Sequence, residues 1–415
     1  MRVLFYFGWS FAETGGTQRA VLAIGSGLIA KGHSVTVLND SLEIATPFYP
    51  HDPALEIRHS LQEFGKQVSL KDVQKKKQQS LNRTPKKSAS MQLQRILPAY
   101  RRQRWRRRIR GRLPRLRQEL ERENPDICVV FTPDYASLID NAFPYRAFPI
   151  VLAFRNIPKY MFDETVGFYE DPVARLNYRE QISCADAYSV LLPEFSNYLP
   201  KHAAKPISYI PNGIHLPSSL EGDKHKKRIL FTSRFDTAKR PQWLINAFAK
   251  VAEKYPDWSL HMYGSGTDSE EAVELCQSLG VPNQIKLHGA QPDLTEAYQN
   301  AEIFCIPSHF EGFSNSLAEA MSYQLACVAV DDCISNSALL KDGAGYLTRV
   351  EDGAAGLAEA LDTLMGNPEL RKQLGTAARQ KISAFTPERV TDEWDSFLKS
   401  VKSDYKQKKR LFARA

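Results

Sequence analysis

One pattern occurs twice in this chain: a short apolar segment, a polar loop, an amphipathic helix and a second apolar segment. The first copy runs from residues 3–7 to residues 34–38, and the second runs from residues 227–232 to residues 258–263. Because strand–helix–strand crossovers are right-handed, each copy makes two parallel neighbours in one sheet. With 415 residues available, the repetition predicts two doubly wound α/β domains.

Further apolar runs extend both sheets. Residues 126–131, 148–154 and 303–306 are almost continuously apolar, as in parallel strands covered on both faces. The stretch from 206 to 227 contains Pro211-Asn212-Gly213 and a polar tract, which is linker chemistry. The predicted organisation is a first domain at 1–207 with a basic insertion at 71–117, a second domain at 208–386, and a C-terminal helix with a basic tail at 387–415 that could cross back to the first domain.

Charge is distributed unevenly along the chain. The formal net charge is +8, yet residues 71–117 hold 18 Lys and Arg against the single acid Asp72. The rest of the chain is therefore acidic. A segment this basic implies an anionic partner, which could be nucleic acid, a phospholipid surface or a phosphorylated substrate.

Other classes of protein are disfavoured. The apolar start at residues 1–7 is too short for a secretory signal, and no apolar run reaches the roughly 18 residues of a membrane span. The six cysteines are scattered without a C-x-x-C pair, which indicates reduced thiols in a cytosolic protein and no metal centre.

The second half of the basic segment has helical periodicity. Trp105, Ile109, Leu113, Leu116 and Leu120 form one apolar stripe, and Pro114 could kink the helix. A basic amphipathic helix with a tryptophan is typical of an anionic membrane surface. The alternative is an ordinary domain helix with a solvated basic face, and we expect the C-terminal part to pack and the N-terminal part to meet lipid. Nucleic-acid binding is disfavoured because no nucleic-acid-binding motif accompanies the arginines. The predicted membrane residues are Arg102, Arg104, Trp105, Arg106, Arg107, Arg108 and Ile109.

Two glutamates flank the most informative loop of the second domain. Glu311 and Glu319 lie eight residues apart, after an apolar strand and at the start of a predicted helix. Ionised carboxylates accept hydrogen bonds from sugar hydroxyls, and the amides of a helix N-terminus attract anions. Ser314 and Asn315 are good N-cap residues. The simpler interpretation is a capped helix with solvated glutamates.

The loop after the second domain's first strand carries cations. Arg234 and Lys239 follow that strand at its carboxyl end, where ligands bind in open α/β sheets. Together they could hold a diphosphate, although an arginine and a lysine in a loop are often merely solvated. Gly264-Ser265-Gly266 follows the next strand and could equally be a tight turn.

In combination these motifs resemble glycosyltransferase family 4, which comprises retaining, nucleotide-sugar-dependent transferases of the two-domain B-type fold. The resemblance covers most of the chain and is clearest from Pro211 to Met321. It implies two Rossmann-like domains that face each other across a cleft. The loop at Gly15-Gly16 matches the family's N-terminal glycine loop, although it lacks the full pattern of a dinucleotide site.

The resemblance also implies roles. Arg234 and Lys239 would bind the donor diphosphate, Glu319 the ribose hydroxyls, and Glu311 the donor sugar. The implied reaction needs no cofactor, no divalent metal and no protein nucleophile, since the departing diphosphate helps to deprotonate the acceptor. The remaining implied donor contacts are Gly15, Gly16, Gly264 and the backbone amides of Phe313, Ser314 and Asn315.

The chain departs from the family after residue 154. Many members carry a histidine there, whereas this chain has Arg155-Asn156-Ile157-Pro158. A similar segment occurs in a subgroup resembling N-acetylgalactosaminyl transferases that build lipid-linked glycans. Arg155 and Asn156 are therefore candidate donor or acceptor contacts, and a plain turn before Pro158 is the alternative. His309 could contact a ligand or only pack.

These observations predict a glycosyltransferase that moves a hexosyl or N-acetylhexosaminyl group from a UDP-sugar to a lipid-linked glycan. It would work in surface polysaccharide synthesis, in the cytoplasm and peripherally on the inner face of the cell membrane. One alternative is a sugar-nucleotide epimerase of the same fold. The other is a non-enzymatic adaptor for nucleic acid or membrane.

Overall fold

The computed structural model describes residues 1–12, 15–41, 46–59, 89–163, 172–202, 205–220, 227–281 and 283–412. They divide into two compact units, Met1–Pro211 with Val390–Ala415 (unit 1) and Asn212–Arg389 (unit 2). Each unit contains one parallel sheet with helices between most of its successive strands. The predicted α/β class with two Rossmann-like domains is confirmed.

Unit 1 is built on a seven-stranded sheet. Its described strands are β1 (Arg2–Phe7), β2 (Ser34–Asn39), β3 (Glu56–His59), β4 (Ile127–Val130), β5 (Ile150–Ala153), β6 (Ala187–Val190) and β7 (Ile207–Tyr209). They lie in the order β3-β2-β1-β4-β5-β6-β7, and every pair is parallel. Leu4 of β1 is paired with Thr36 on one side and Cys128 on the other. Residues 3–7 are all buried, as expected for a central strand covered on both faces.

The helices of unit 1 connect these strands. They are α1 (Gly16–Ala30), α2 (Ala89–Ile96), α3 (Pro98–Ile109), α4 (Leu113–Glu123), α5 (Pro133–Ala142), α6 (Lys159–Phe162) and α7 (Pro172–Gln181), with 3₁₀ turns at Ile182–Cys184 and Pro193–Tyr198. The stripe of Trp105 to Leu120 is predicted as one kinked helix, and this prediction is wrong. The chain leaves the helix between α3 and α4, and Pro114 lies in the first turn of α4, where its missing N–H costs no hydrogen bond.

Unit 2 repeats the plan with six described strands. They are β8 (Arg228–Thr232), β9 (Ser259–Tyr263), β10 (Ile285–Leu287), β11 (Ile303–Ile306), β12 (Ala326–Val330) and β13 (Tyr346–Thr348). The order is β10-β9-β8-β11-β12-β13, again parallel throughout. The helices are α8 (Pro241–Val251), α9 (Glu270–Ser278), α10 (Thr295–Gln299), α11 (Asn315–Ser322), α12 (Ile334–Leu340), α13 (Gly353–Gly366) and α14 (Pro368–Ile382), with 3₁₀ turns at Val350–Asp352 and Ser383–Phe385.

The last helix, α15 (Pro387–Phe412), begins in unit 2 and belongs to unit 1 from Val390 onward. Val390, Trp394, Leu398 and Val401 recur at helical spacing and are buried in the core of unit 1. The helix also anchors through polar contacts, because the ring of His33 lies 2.7 Å from Asp395.

Two further features bear on the predicted class of protein. Within the described ranges, no helix combines the length and apolarity that crossing a bilayer requires. All six cysteines are free thiols, and all but Cys184 are buried. Burial raises the pKa of Cys184 to about 12, so this thiol stays protonated at neutral pH.

Candidate active site

The candidate site of unit 2 lies where the strand order reverses. The strands β8 and β11 are neighbours in the sheet, and the chain continues from them to opposite edges. In open α/β sheets, ligands bind in the crevice at the carboxyl ends of such a pair. The two loops that leave this point are residues 233–240 after β8 and residues 307–314 after β11. They carry Arg234, Lys239 and Glu311.

Lys239 and Glu311 form an ion pair across the two loops. The Lys239 Nζ lies 2.6 Å from Glu311 Oε1, and the two side chains are only 10% and 13% exposed. Lys239 also donates to the carbonyl of Phe310, and Ser308 Oγ donates to the Glu311 carboxylate at 2.9 Å. The pair is thus held rigidly in a poorly solvated position, where charges interact more strongly than in water.

Arg234 has a different setting. Its side chain is 68% exposed and lies 3.1 Å from Asp236. Asp236 in turn accepts a hydrogen bond from the backbone N–H of Lys239, which closes the turn that carries both cations. An exposed guanidinium beside a buried ammonium offers a bidentate contact and a point charge on the same loop.

Helix α11 begins directly after this loop. Ser314 occupies the N-cap position, but its hydroxyl accepts no hydrogen bond from the first turn. No N-cap side chain therefore occupies the first-turn amides, and the positive end of the helix suits an anion. The amide of Ser314 itself donates to Ser335 Oγ at 3.2 Å.

Phe313 and Asn315 are also engaged. Phe313 is 5% exposed and meets Phe385 edge-on, with the ring centroids 6.3 Å apart. Asn315 Oδ1 accepts a hydrogen bond of 3.0 Å from the side chain of Asn212. These contacts fix the loop that leads from Glu311 into α11.

Glu319 is oriented by a residue that the sequence interpretation missed. Tyr298 Oη donates to Glu319 Oε2 at 3.0 Å and lies 2.9 Å from Thr232 Oγ1 at the end of β8. The Tyr298 ring stacks on Tyr323 at 5.2 Å. A lone tyrosine between two strands carries no motif, so only the fold shows that it connects the end of β8 to the carboxylate.

The loop at Gly264-Ser265-Gly266 makes a close backbone contact with the loop after β8. Gly264 has φ +133° and Gly266 has φ +82°, conformations that favour glycine. A methyl group built on Gly264 would lie 2.0 Å from the carbonyl oxygen of Ser233. The amide of Phe235 donates to the carbonyl of Ser265 at 2.9 Å. The glycines therefore let the loop after β9 pack against the cation loop after β8.

A second ion network flanks the site. Arg240 binds Asp332 through both terminal nitrogens, at 3.1 and 2.8 Å, and stacks over Trp243 at 4.4 Å. His309 Nδ1 lies 2.8 Å from the same aspartate. His309 is thus tied to Asp332, which joins the loop before Glu311 to the chain after β12. The sequence interpretation did not single out Arg240.

In unit 1, the predicted donor residues lie at different places in the sheet. Gly15 is the N-cap of α1 and Gly16 its first residue, after β1 and therefore at this unit's own reversal point. Arg155 follows β5 and is buried. Its Nη2 donates to Ser189 Oγ at 3.0 Å and to the carbonyl of Ile210, and its guanidinium lies over Trp394.

Burial lowers the pKa of the Arg155 guanidinium to about 9. Arg155 thus lies in the interior of unit 1, where its contact with Trp394 supports the packing of α15. Asn156, the next residue, is exposed. The two neighbours therefore have opposite environments.

The predicted membrane residues of α3 fall into two groups. The five arginines among them are exposed, whereas Ile109 is 1% exposed and Trp105 donates from Nε1 to Ser137 Oγ at 3.1 Å. Ile109 is buried and Trp105 is hydrogen-bonded to α5, so these two side chains face the protein. The first part of the basic segment, residues 71–88, lies outside the described residues.

No cluster of three or more His, Cys, Asp or Glu side chains in the described chain is placed to hold a metal ion. The charges at the candidate site are instead those of Arg234, Lys239 and the glutamates. An arrangement of two cations, an uncapped helix and two carboxylates can bind an anion that also carries hydroxyl groups.

Comparison with known proteins finds relatives among glycosyltransferases. Residues 216–381 match the family model described as glycosyl transferases group 1. An exopolysaccharide phosphotransferase of Streptomyces coelicolor is 24% identical over all of this chain and 42% of its own length. An uncharacterized glycosyltransferase of Haemophilus influenzae is 27% identical, over 45% of this chain and 53% of its own. A Campylobacter jejuni N-acetylgalactosaminyltransferase, named for an undecaprenol-linked acceptor, is 24% identical over 52% of this chain and 61% of its own.

Solved structures share the fold. The structure of TarM superposes with a TM-score of 0.71 at 13% identity, covering 96% of this chain and 99% of that one. HepE of Anabaena, solved with UDP and glucose, gives a TM-score of 0.64 at 16% identity over 96% and 99%. The chain spans about half the length of the curated relatives it matches. Together these findings support the broad superfamily of glycosyltransferases with the B-type fold.

Proposed function

We propose that the protein is a glycosyltransferase of family 4 that transfers a hexosyl or N-acetylhexosaminyl group from a UDP-sugar, with retention, to a lipid-linked glycan. The observation that carries the proposal is the site at the reversal point of unit 2. There, the buried Lys239–Glu311 pair and exposed Arg234 lie beside a helix that is uncapped by its N-cap side chain. The group 1 family model covers this part of the chain.

Arg234 and Lys239 bind the donor diphosphate in this proposal. Two of the three Lys239 donors are used by Glu311 and the Phe310 carbonyl, which leaves one for a phosphate oxygen. The guanidinium of Arg234 donates hydrogen bonds to a second phosphate oxygen. These groups stabilise the negative charge that develops on the leaving diphosphate, and this electrostatic contribution is usually the largest in catalysis.

The glutamates bind the hydroxyl-bearing parts of the donor. Glu319, oriented by Tyr298, accepts from the ribose hydroxyls, and Glu311 accepts from the donor sugar. A carboxylate pre-oriented by a neighbouring hydrogen bond loses little freedom when it binds a hydroxyl. UDP as the nucleotide is supported by the HepE structure, which was solved with UDP and glucose.

The chemical step balances without a protein nucleophile. The bond from the sugar C1 to the diphosphate oxygen breaks, and the bond from C1 to the acceptor oxygen forms on the same face. The acceptor proton passes to the departing diphosphate. Since Arg234 and Lys239 supply the positive charge, the proposed reaction uses no divalent metal and no cofactor.

The acceptor side rests on relatives and on charge. The Campylobacter relative is named for an undecaprenol-linked glycan, and the Streptomyces relative for an exopolysaccharide. The exposed arginines of α3 suit an anionic lipid surface. We therefore propose a peripheral enzyme of surface polysaccharide synthesis on the inner face of the cell membrane.

Transfer of a labelled sugar tests this function. A panel of UDP-sugars is screened by thermal shift, because a bound donor stabilises only the folded form. The stabilising donor is then incubated with a polyprenyl-diphosphate-linked glycan. We expect labelled glycolipid from the wild-type protein, at least a hundredfold less from Glu319→Gln, and wild-type activity from the exposed control Glu359→Gln. Formation of an epimer without acceptor would show the alternative enzyme, and full activity of Glu319→Gln would exclude this site.

A further inference from the structure

We propose that helices α2 and α3 dock on an anionic lipid bilayer, with Leu93, Ile96 and Leu97 entering the bilayer interface and the arginines of α3 meeting the headgroups. The surface of those three apolar residues is called the aliphatic ridge below. The docking follows from the surface of unit 1 alone. Its purpose, to bring a lipid-linked acceptor to the enzyme, rests on the proposed function.

The aliphatic ridge is an unusual surface for a folded unit. Leu93, Ile96 and Leu97 are 43%, 73% and 47% exposed. They are spaced at i, i+3 and i+4, so they share one side of a helical turn, and the amide of Leu97 still donates to the carbonyl of Leu93 at 2.8 Å. The other exposed large apolar side chains of the described chain are scattered: Trp9, Phe48, Tyr145, Tyr209 and Val273. Clustered exposed apolar side chains mark an interaction site, whereas scattered ones need no explanation.

The exposed arginines of α3 follow this ridge along the chain. Within the described residues, no carboxylate lies at ion-pair distance from the exposed side chains of Arg104, Arg106, Arg107 and Arg108. By contrast, the neighbouring Arg101 is buried, forms an ion pair with Glu180 and donates to the carbonyl of Gln94 at 2.8 Å. This buried arginine ties α3 to α2, so the ridge and the exposed positive charges belong to one structural element.

The inner side of α3 is fixed to the protein. Ile109 is buried, and Trp105 is hydrogen-bonded to Ser137 of α5. The apolar residues that the periodicity assigned to lipid are therefore used in packing. The side chains left for a bilayer are those at the α2–α3 junction, which the sequence interpretation did not single out.

The combination of aliphatic and cationic groups favours a bilayer over other anions. A phospholipid surface offers an apolar phase and negative headgroups within a few ångströms of each other, as the two groups require. Nucleic acid would satisfy the arginines, but it offers no apolar phase to leucine and isoleucine, and stacking platforms use aromatic side chains. An anionic bilayer is therefore the partner that fits both groups.

Vesicle binding of the full chain tests the proposal. Sedimentation uses phosphatidylcholine vesicles with and without phosphatidylglycerol at physiological ionic strength. Two variants separate the contributions: a ridge variant, Leu93→Gln/Ile96→Gln/Leu97→Gln, and a charge variant, Arg104→Gln/Arg106→Gln/Arg107→Gln/Arg108→Gln. All seven side chains are exposed, so the core of unit 1 is unchanged. The matched controls in unit 2 are Val273→Gln for the ridge and Lys250→Gln/Lys254→Gln/Arg349→Gln/Lys372→Gln for charge.

We expect wild-type binding that requires phosphatidylglycerol. The charge variant loses affinity by about fivefold per arginine. The ridge variant loses at least about a hundredfold, since each side chain leaves water in part. Both controls bind as the wild type does. Equal binding by the ridge variant, equal binding to neutral vesicles, or tighter binding to duplex DNA than to vesicles would each overturn the proposal.

Failure of docking is distinguishable from failure of the proposed function. Glu319→Gln should bind vesicles like the wild type, because that glutamate lies in unit 2. The ridge variant should bind UDP like the wild type. Vesicle binding without any sugar transfer would refute the proposed activity and support docking. Sugar transfer by the wild type, with vesicle binding unchanged in the ridge variant, would support the proposed activity and refute docking.

Discussion

The buried ion pair of the candidate site makes a quantitative prediction about unit 2. Lys239 and Glu311 lie 2.6 Å apart and are about one-tenth exposed. Two charges about 4 Å apart near a protein surface interact by about 4 kcal/mol, and removing one partner of a buried pair costs about 3–5 kcal/mol. Glu311 keeps its bond from Ser308 and some solvent, so we expect about 3 kcal/mol for Lys239→Met.

A double-mutant cycle isolates the interaction itself. The single variants Lys239→Met and Glu311→Gln each leave the other group without its partner, whereas the double variant leaves no unpaired charge. We expect the sum of the two single losses in unfolding free energy to exceed the loss in the double variant by about 2 kcal/mol. Hydrogen exchange of the β8 and β11 amides measures this free energy within unit 2 alone, and 2 kcal/mol is about a thirtyfold change in protection.

An exposed pair in the same unit is the control. Lys254 and Asp362 lie 2.6 Å apart, but their side chains are 62% and 39% exposed. The cycle of Lys254→Met and Asp362→Asn should show no measurable coupling, since solvent screens such pairs. If the coupling of Lys239 with Glu311 does not exceed that of the control pair, the two loops are not joined by this interaction and the description of the site is wrong.

Three other changes probe the fold and its pH response. Gly264→Ala forces a methyl group against the Ser233 carbonyl and should lower the thermal midpoint by more than about 5 °C, whereas Gly343→Ala, at φ +79° in open space, should cost only about 1 kcal/mol. Burial lowers the pKa of His261 to about 4, below its value in the unfolded chain. The free energy of unfolding should therefore fall by about 2 kcal/mol as the pH drops from 6.5 to 4. In urea titrations, His261→Asn should flatten that pH dependence. Ile109→Ala should destabilise unit 1 by about 2–4 kcal/mol in urea unfolding, and a loss under about 0.5 kcal/mol would show that this side chain is not packed.

The sequence predicts the central strands of both sheets because their signal is local. The apolar runs at 3–7 and 303–306 indicate buried strands, and the repeated strand–helix–strand pattern predicts parallel neighbours. The loops after β8 and β11 then fall at the same sheet edge by topology alone. That is why strand order is enough to group Arg234, Lys239 and Glu311 in one site.

Side-chain partners could not be predicted in this way. Tyr298 reaches Glu319 across 21 residues, and Ser335 reaches the amide of Ser314 across the same distance, so no short motif connects them. Arg155 is an example, because its position after a strand does not reveal that it donates to Ser189 and to the Ile210 carbonyl, far along the chain.

The basic segment shows a different limit. Periodicity correctly places Trp105 and Ile109 on one side of a helix, but it does not tell whether that side meets protein or lipid. The hydrogen-bond partner of Trp105 is Ser137 of α5, which lies 32 residues further along the chain. The break between α3 and α4 also depends on how each helix packs, and a single proline marks it only approximately.

Calorimetric titration of the full chain with UDP tests the central claim most directly. We expect one UDP site per chain. Arg234→Gln should bind UDP about tenfold more weakly, because a charge-assisted hydrogen bond to phosphate contributes about 1.5–3 kcal/mol and this arginine is exposed. The exposed control Arg349→Gln should bind UDP as the wild type does. Arg234 is exposed, so its loss should not disturb folding. Absence of UDP binding, or equal affinity of the wild type and Arg234→Gln, would contradict a donor site at the reversal point of unit 2.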